Sequence, residues 1–258
     1  VSSAVDFVYA SVAMWFEILD IGLLAGSLAA IASGLIQGYS GFAGALIIVP
    51  VLAVVFSPIE AIAITVVAGL AGNIVLTRDA AKSANWREVG AVSVAIAITV
   101  PVGLLFLVSA EPTIIRRGMG VFILLAAFVL MSGWTYKGAR GLISSTGVGL
   151  VSGLIIGAFG VPSGPVFVVY FLSAPVPVAV QRANIIMTVS VTLTIMMIGL
   201  IVEGVYGAET VARSAIIAPL YLIAAHFGKV LFLTVPATWF NKVAYTLLLA
   251  SGAMALLA

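Results

Sequence analysis

The sequence contains no cysteine, and that absence excludes disulfides, thiolate metal sites and cysteine nucleophiles. Histidine occurs once, at His226, so a histidine-rich metal centre is excluded as well. Charge is also scarce, at 8% of the 258 residues, where a soluble domain carries about 25%. With 63% hydrophobic residues and a mean hydropathy of +1.31, the chain cannot cover itself with a polar surface. It reads as an all-α integral membrane protein. Its apolar runs are continuous rather than alternating, which selects helices over a β-barrel. The net charge of +2 is too small to suggest nucleic acid. No HExxH motif and no pair of acids at membrane depth point to an intramembrane enzyme. The first residues show neither the basic start nor the cleavage site of a signal peptide, so none is expected.

Residues 4–16 predict a short interfacial helix within an N-terminal region 1–19, or an extension of the first span. Ten apolar segments follow, near 20–37, 42–56, 61–77, 89–109, 118–135, 141–158, 164–176, 183–202, 214–228 and 240–257. Several fall short of the roughly 20 residues of a full crossing. Pairs such as 20–37 with 42–56 are either full crossings or broken helices that meet inside the membrane. If all ten cross, alternate connections collect Arg78, Lys82, Arg87, Lys137, Arg140, Arg182, Lys229 and Lys242 on one side. Only Arg116, Arg117 and Arg213 fall on the other. That bias puts both termini outside the cytoplasm.

A short pattern occurs twice: GLIQGYSG at 34–41 and GLIIGAFG at 153–160, an offset of 119 residues. At the same offset Pro58 matches Pro177, and Thr65 falls on Asn184. Two copies, 20–137 and 138–258, would hold about five segments each. An odd number inserts the second copy upside down. The predicted fold is a helical bundle of two inverted-topology repeats, with helices broken at glycine-rich turns. Equivalent connections carry opposite charge bias: 78–88 is basic, and the stretch near Glu203 and Glu209 is acidic.

The run GLIQGYSGFAGALIIVP followed by PIEAIAIT resembles the first-repeat signature of the sulfite exporter TauE/SafE family. GLIIGAFGVPSGPVFVVYFL followed by PVPVAVQRAN resembles the second-repeat signature, and PATWFNKVAYTLLLASGAMALL the last helix. The sequence departs from the family's frequent triple glycine at Phe42-Ala43 and at Val161-Pro162-Ser163. The resemblance implies a secondary transporter of small, often sulfur-containing anions such as sulfite or a sulfonate, in the cytoplasmic (inner) membrane. Its partners would be that anion, the lipid bilayer and a coupling ion, proton or sodium. It implies no cofactor, metal or catalytic residue. A passive anion channel or an intramembrane enzyme is the alternative.

Candidate substrate-binding residues follow from the two breaks. A helix interrupted inside a bundle presents backbone N–H groups and a positive dipole end, which suit an anion. Gln37, Gly38, Tyr39, Ser40 and Gly41 form the first turn, and Pro162, Ser163 and Gly164 the second. The competing reading is that these small residues only let helices pack closely. Arg182 stands in a long apolar stretch, with no acid nearer in sequence than Glu203. Such an arginine marks a substrate path or snorkels to headgroups. Its counterpart in the first copy is Ala63, so the cavity is expected to be electrostatically lopsided. Asn73, Asn184 and Thr188 either line the cavity or bond helices together. His226 either relays protons or, with Lys229, marks a membrane edge, and Asp20 and Glu60 read as interfacial.

Overall fold

The structure, a computed structural model, describes residues 21–161, 165–235 and 237–257, with the backbone alone for 237–241. The expected interfacial helix at 4–16, Asp20, and the candidate residues Pro162, Ser163 and Gly164 lie outside the described residues. The described residues form ten helices and no strand: α1 (Ile21–Ser40), α2 (Gly44–Val55), α3 (Pro58–Ser83), α4 (Trp86–Ser109) and α5 (Pro112–Met131). The second set is α6 (Leu142–Phe159), α7 (Pro165–Leu172), α8 (Val178–Val202), α9 (Ala208–Thr234) and α10 (Ala237–Leu257). Seven are long and apolar enough to cross a membrane. Their outer faces expose Leu28, Ile74, Ile98, Phe128, Ile143 and Ile198, a surface suited to lipid and not to water.

Local chemistry sets the helix ends. Ser57 caps α3 by accepting from the Glu60 N–H at 3.2 Å, with Pro58 at the first helical position. α1 and α6 terminate alike. Gly41 (φ +88°) and Gly160 (φ +63°) are left-handed, and each N–H returns to the carbonyl four residues back, Gln37 and Ile156. Only glycine enters that region at little cost, so the repeated glycine of the two motifs is a helix stop.

Contacts give each helix its direction. α2 folds back along α1, with Gly44 beside Ser33 and Gln37 and Leu52 beside Gly26. α9 runs parallel to α3, joined by Glu60–Arg213 at one end and Asp79–Lys229 at the other. α8 begins at the end where α1 and α3 finish, because Arg182 reaches the Gly38 and Tyr39 carbonyls. α6 runs parallel to α4, and α5 antiparallel to α10. Every helix from α1 to α5 therefore points opposite to its counterpart from α6 to α10. The two ends of the bundle are called here the Arg182 face and the Glu60 face.

The tightest packing joins the halves rather than filling either one. Gly34 and Gly38 of α1 press on the backbone of α9 at Tyr221, Ala225 and Gly228. Gly153 and Gly157 of α6 press on α4 at Ile96, Val100 and Gly103 in the same register. The offset is 119 residues between α1 and α6 but 125 between α4 and α9. The longer connection 203–207, against 84–85 in the first half, accounts for part of the change. α3 crosses α8 at the centre, and α5 packs on α10.

A side chain on these glycines would meet backbone, which cannot step aside. Gly103→Ala and Gly228→Ala are each expected to cost about 1–3 kcal/mol. Gly90→Ala, which meets nothing within 4 Å, should cost nothing, and thermal or detergent unfolding midpoints read the difference.

Candidate functional site

The site is built around the first helix break. α1 ends at Ser40 with its last carbonyls pointing toward the Arg182 face, and α2 restarts at Gly44. The break lies within the bundle. Gln37 sits level with Asn73, and α3 continues ten residues further, to Ser83, about 15 Å.

The expectation of open N–H groups in this turn is corrected by the structure. Ser40 Oγ accepts from the N–H groups of Phe42 (3.2 Å) and Ala43 (3.0 Å) while donating to the Ile36 carbonyl. Gln37 Oε1 accepts from the Gly44 N–H at 3.2 Å, and its Nε2 donates to the Gly41 carbonyl and to Asn73 Oδ1. Asn73 Nδ2 then donates to Ser190 Oγ on α8 at 3.0 Å. A chain of polar groups thus ties α1, α3 and α8 together beside the turn. Ser40 and Gln37 are there, as expected, but they close the break from within. The physical reason is the hydrocarbon setting, where an unmet donor costs more than an internal bond.

Arg182 completes the turn from the opposite half. Its Nη2 donates to the Gly38 carbonyl at 2.6 Å and its Nε to the Tyr39 carbonyl at 3.1 Å. The guanidinium lies 4.4 Å from the centre of the Phe232 ring. It therefore sits on the negative end of the α1 dipole. Isolation in sequence does not carry over to space. Asp79 lines the same 140 Å³ recess as Arg182, although it pairs with Lys229 at 2.6 Å. Lys229 is thus half of an ion pair rather than a bare edge marker. Glu60 is paired as well, with Arg213 at 2.6 Å. His226 points outward from α9, beside Phe227.

A cavity of about 280 Å³ opens beside Arg182. Tyr39, Ser40, Phe42 and Ala43 line it from the turn, and Phe232, Tyr245 and Leu248 from α9 and α10. The Tyr39 hydroxyl donates to the Val235 carbonyl at 2.9 Å, so its ring and not its donor faces the space. The described turn residue of the second half, Gly160, packs on Ile62 near the Glu60 face, and buried Ile62, Ile64 and Val161 fill the region around it. Asn184 is not brought to the cavity. Its Oδ1 accepts from the Asn85 N–H at 2.7 Å at the start of α4, a role in joining helices. Thr188 is fully buried, and its hydroxyl has no partner.

The mirror positions are apolar. Ile156 stands for Gln37 and Ala63 for Arg182. The Ala63 carbonyl also accepts from the Tyr206 hydroxyl at 3.2 Å, and burial pushes the Tyr206 pKa up. A polar, cationic vestibule at one face of a pseudosymmetric bundle is the result.

A residue that sequence reasoning missed is Tyr221 on α9. It is among the largest fully buried side chains, and its ring lies against Gly72 of α3 and Gly44 of α2. Nothing in its surroundings on α9 marks it out. The signal is the pair of distant glycines that make room for it.

The class defined is a multi-pass helical membrane protein, with seven described helices long and apolar enough to cross a membrane. The chain belongs to the sulfite exporter TauE/SafE family, whose description matches residues 26–255. It is 29% identical over 151 residues to a probable sulfite/organosulfonate exporter TauE of Cupriavidus necator. That match covers 56% of this chain and 58% of the relative, so less than two thirds of the relative's length is spanned. No solved structure matches the chain.

Asn73 holds the polar chain together, and Asn73→Leu strands buried Gln37 and Ser190 groups. A loss of about 1–2 kcal/mol in unfolding stability is expected, measured by detergent or thermal denaturation.

Proposed function

We propose that this chain is a secondary transporter that moves a small sulfur-containing anion, sulfite or an organosulfonate, across the cytoplasmic membrane by alternating access. The observation that carries the reading is Arg182, a full positive charge held inside the bundle on backbone carbonyls rather than on a carboxylate. Those carbonyls are a weak resting partner. An arriving oxyanion competes for the same planar fork and offers it two oxygens at once. The family and its exporter relative support the substrate class. We assign no enzymatic activity to the chain.

We infer that residues 20–137 and 138–258 are inverted repeats about an axis in the membrane plane, supported by the opposed helix directions and the matching glycine registers. Basic residues collect at the Arg182 face, which supports placing that face in the cytoplasm and both termini outside. The vestibule then opens where an exporter takes up its cargo. Gln37, Gly38, Tyr39, Ser40 and Gly41 shape its inner wall, Asn73 braces Gln37, and Thr188 lies buried behind it on α8. Pro162, Ser163 and Gly164 would hold the equivalent place in the second half, and Asn184 keeps the α4–α8 end in position. Protons or sodium are the candidate coupling ions.

In reconstituted vesicles Arg182→Gln should cut sulfite transport at least 10-fold while the protein still folds. Arg182→Lys should recover only part, because a point charge lacks the fork. Wild-type transport by Arg182→Gln would sink the assignment of Arg182. Sulfite flux that never saturates would favour a channel.

A further inference from the structure

We infer that the vestibule beside Arg182 is built for an organic monoanion with a ring-sized apolar body, an arylsulfonate rather than sulfite itself. The inference rests on the reading of the chain as an anion carrier, and it narrows the cargo of that same site.

Among the described lining residues, free side-chain donors come from one point only. Three hydroxyls stand on the lining, and each gives its proton to a backbone carbonyl: Ser40 to Ile36, Tyr39 to Val235 and Tyr245 to Leu130. Arg182 is different. A guanidinium carries five N–H donors. The Gly38 and Tyr39 carbonyls occupy two, and no other hydrogen bond joins Arg182 to a described residue. Arg182 is also the one charged residue described on this lining, so the space neutralises a single negative charge.

The remaining walls are hydrocarbon. Tyr39, Phe42, Phe232 and Tyr245 contribute rings, and Ile185 and Leu248 contribute branched chains. Tyr39 and Phe232 meet edge to face with centres 5.5 Å apart. The cavity holds about 280 Å³, and an apolar cavity of about 150 Å³ takes up benzene. A benzene-sized body therefore fits, with room left for a headgroup at the guanidinium. Sulfite is hydrated all round, and here its lost water would be replaced on one side only. A sulfonate gathers its oxygens at one end and presents carbon at the other. That division matches a cavity with one cationic corner and apolar walls, in which the charge sets orientation and the rings select the body.

The test uses the purified full chain and reads apparent Kd from the rise of the thermal midpoint with sulfite, methanesulfonate and benzenesulfonate. Each buried CH₂ is worth roughly fourfold in affinity, so benzenesulfonate should bind at least about 10-fold more tightly than methanesulfonate. Sulfite should bind no better than methanesulfonate. Arg182→Gln should lose benzenesulfonate binding, which separates the site from partition of the ring into detergent. Ala244 lines the same cavity, and Ala244→Leu puts a branched side chain where the ring would lie. It should weaken benzenesulfonate about 10-fold and leave methanesulfonate within about twofold. The wild-type series carries the test by itself should Ala244→Leu fail to fold. Sulfite or methanesulfonate binding as tightly as benzenesulfonate, each through Arg182, would overturn this inference and leave the anion carrier standing. Equal benzenesulfonate binding by the wild type and Arg182→Gln, or by the wild type and a folded Ala244→Leu, would place the ring elsewhere and overturn it as well. A wild type that none of the three anions stabilises would overturn both readings together.

Discussion

Hydrocarbon offers no hydrogen bonds, so a helix broken within a membrane has to find every one of them in the protein. That requirement organises this molecule. α1 stops inside the bundle, and its last carbonyls are met by Arg182 from the other half of the chain. The first N–H groups after the stop are met by Ser40 and Gln37 from the same helix. The groups that satisfy the break are thus sorted by origin. Neutral groups from α1 keep the turn in shape, and the one cation comes from across the interface. A movement between the halves would unmake the Arg182 contacts and spare the others.

The backbone events repeat: a left-handed glycine, a hairpin return, a glycine face against the other half. The polar equipment does not. Gln37, Asn73, Arg182 and the Asp79–Lys229 pair gather near one face, and their equivalents are mostly apolar. A symmetric scaffold with an asymmetric lining can distinguish its two sides, which a directional carrier needs.

Much of the scaffold was legible in the sequence because its signals are local. Low charge and continuous apolar runs give a helical membrane bundle, and the repeated octet marks the two helix stops at Gly41 and Gly160. The change of offset from 119 to 125 was not legible, since one apolar stretch aligns with another almost as well at either shift. Arg182 was visible as a lone charge, but its partners were not, because carbonyls leave no mark in a sequence. The N–H groups of the turn were read as open because Ser40 and Gln37 were counted as ligands before being counted as caps. Tyr221 was missed for a different reason. A tyrosine in an apolar helix is unremarkable until Gly44 and Gly72, far away in sequence, are seen to make room for it.

The pairing of α1 with α9 and of α4 with α6 bears on how the protein is made. Neither glycine face can be covered until the opposite half exists. α1 enters the bilayer roughly 180 residues before its partner helix α9 has been synthesised. At about 5–20 residues per second, α1 waits on the order of 10–40 s with its small-residue groove and its Arg182-seeking carbonyls unclaimed. During that time α2 and α3 can pack on α1, but its glycine face lacks the helix that covers it. The same glycines that lock the finished bundle make its first helix a poor resident of the membrane on its own. The nascent chain is at its most vulnerable to quality control over that interval, before α9 closes the groove of α1.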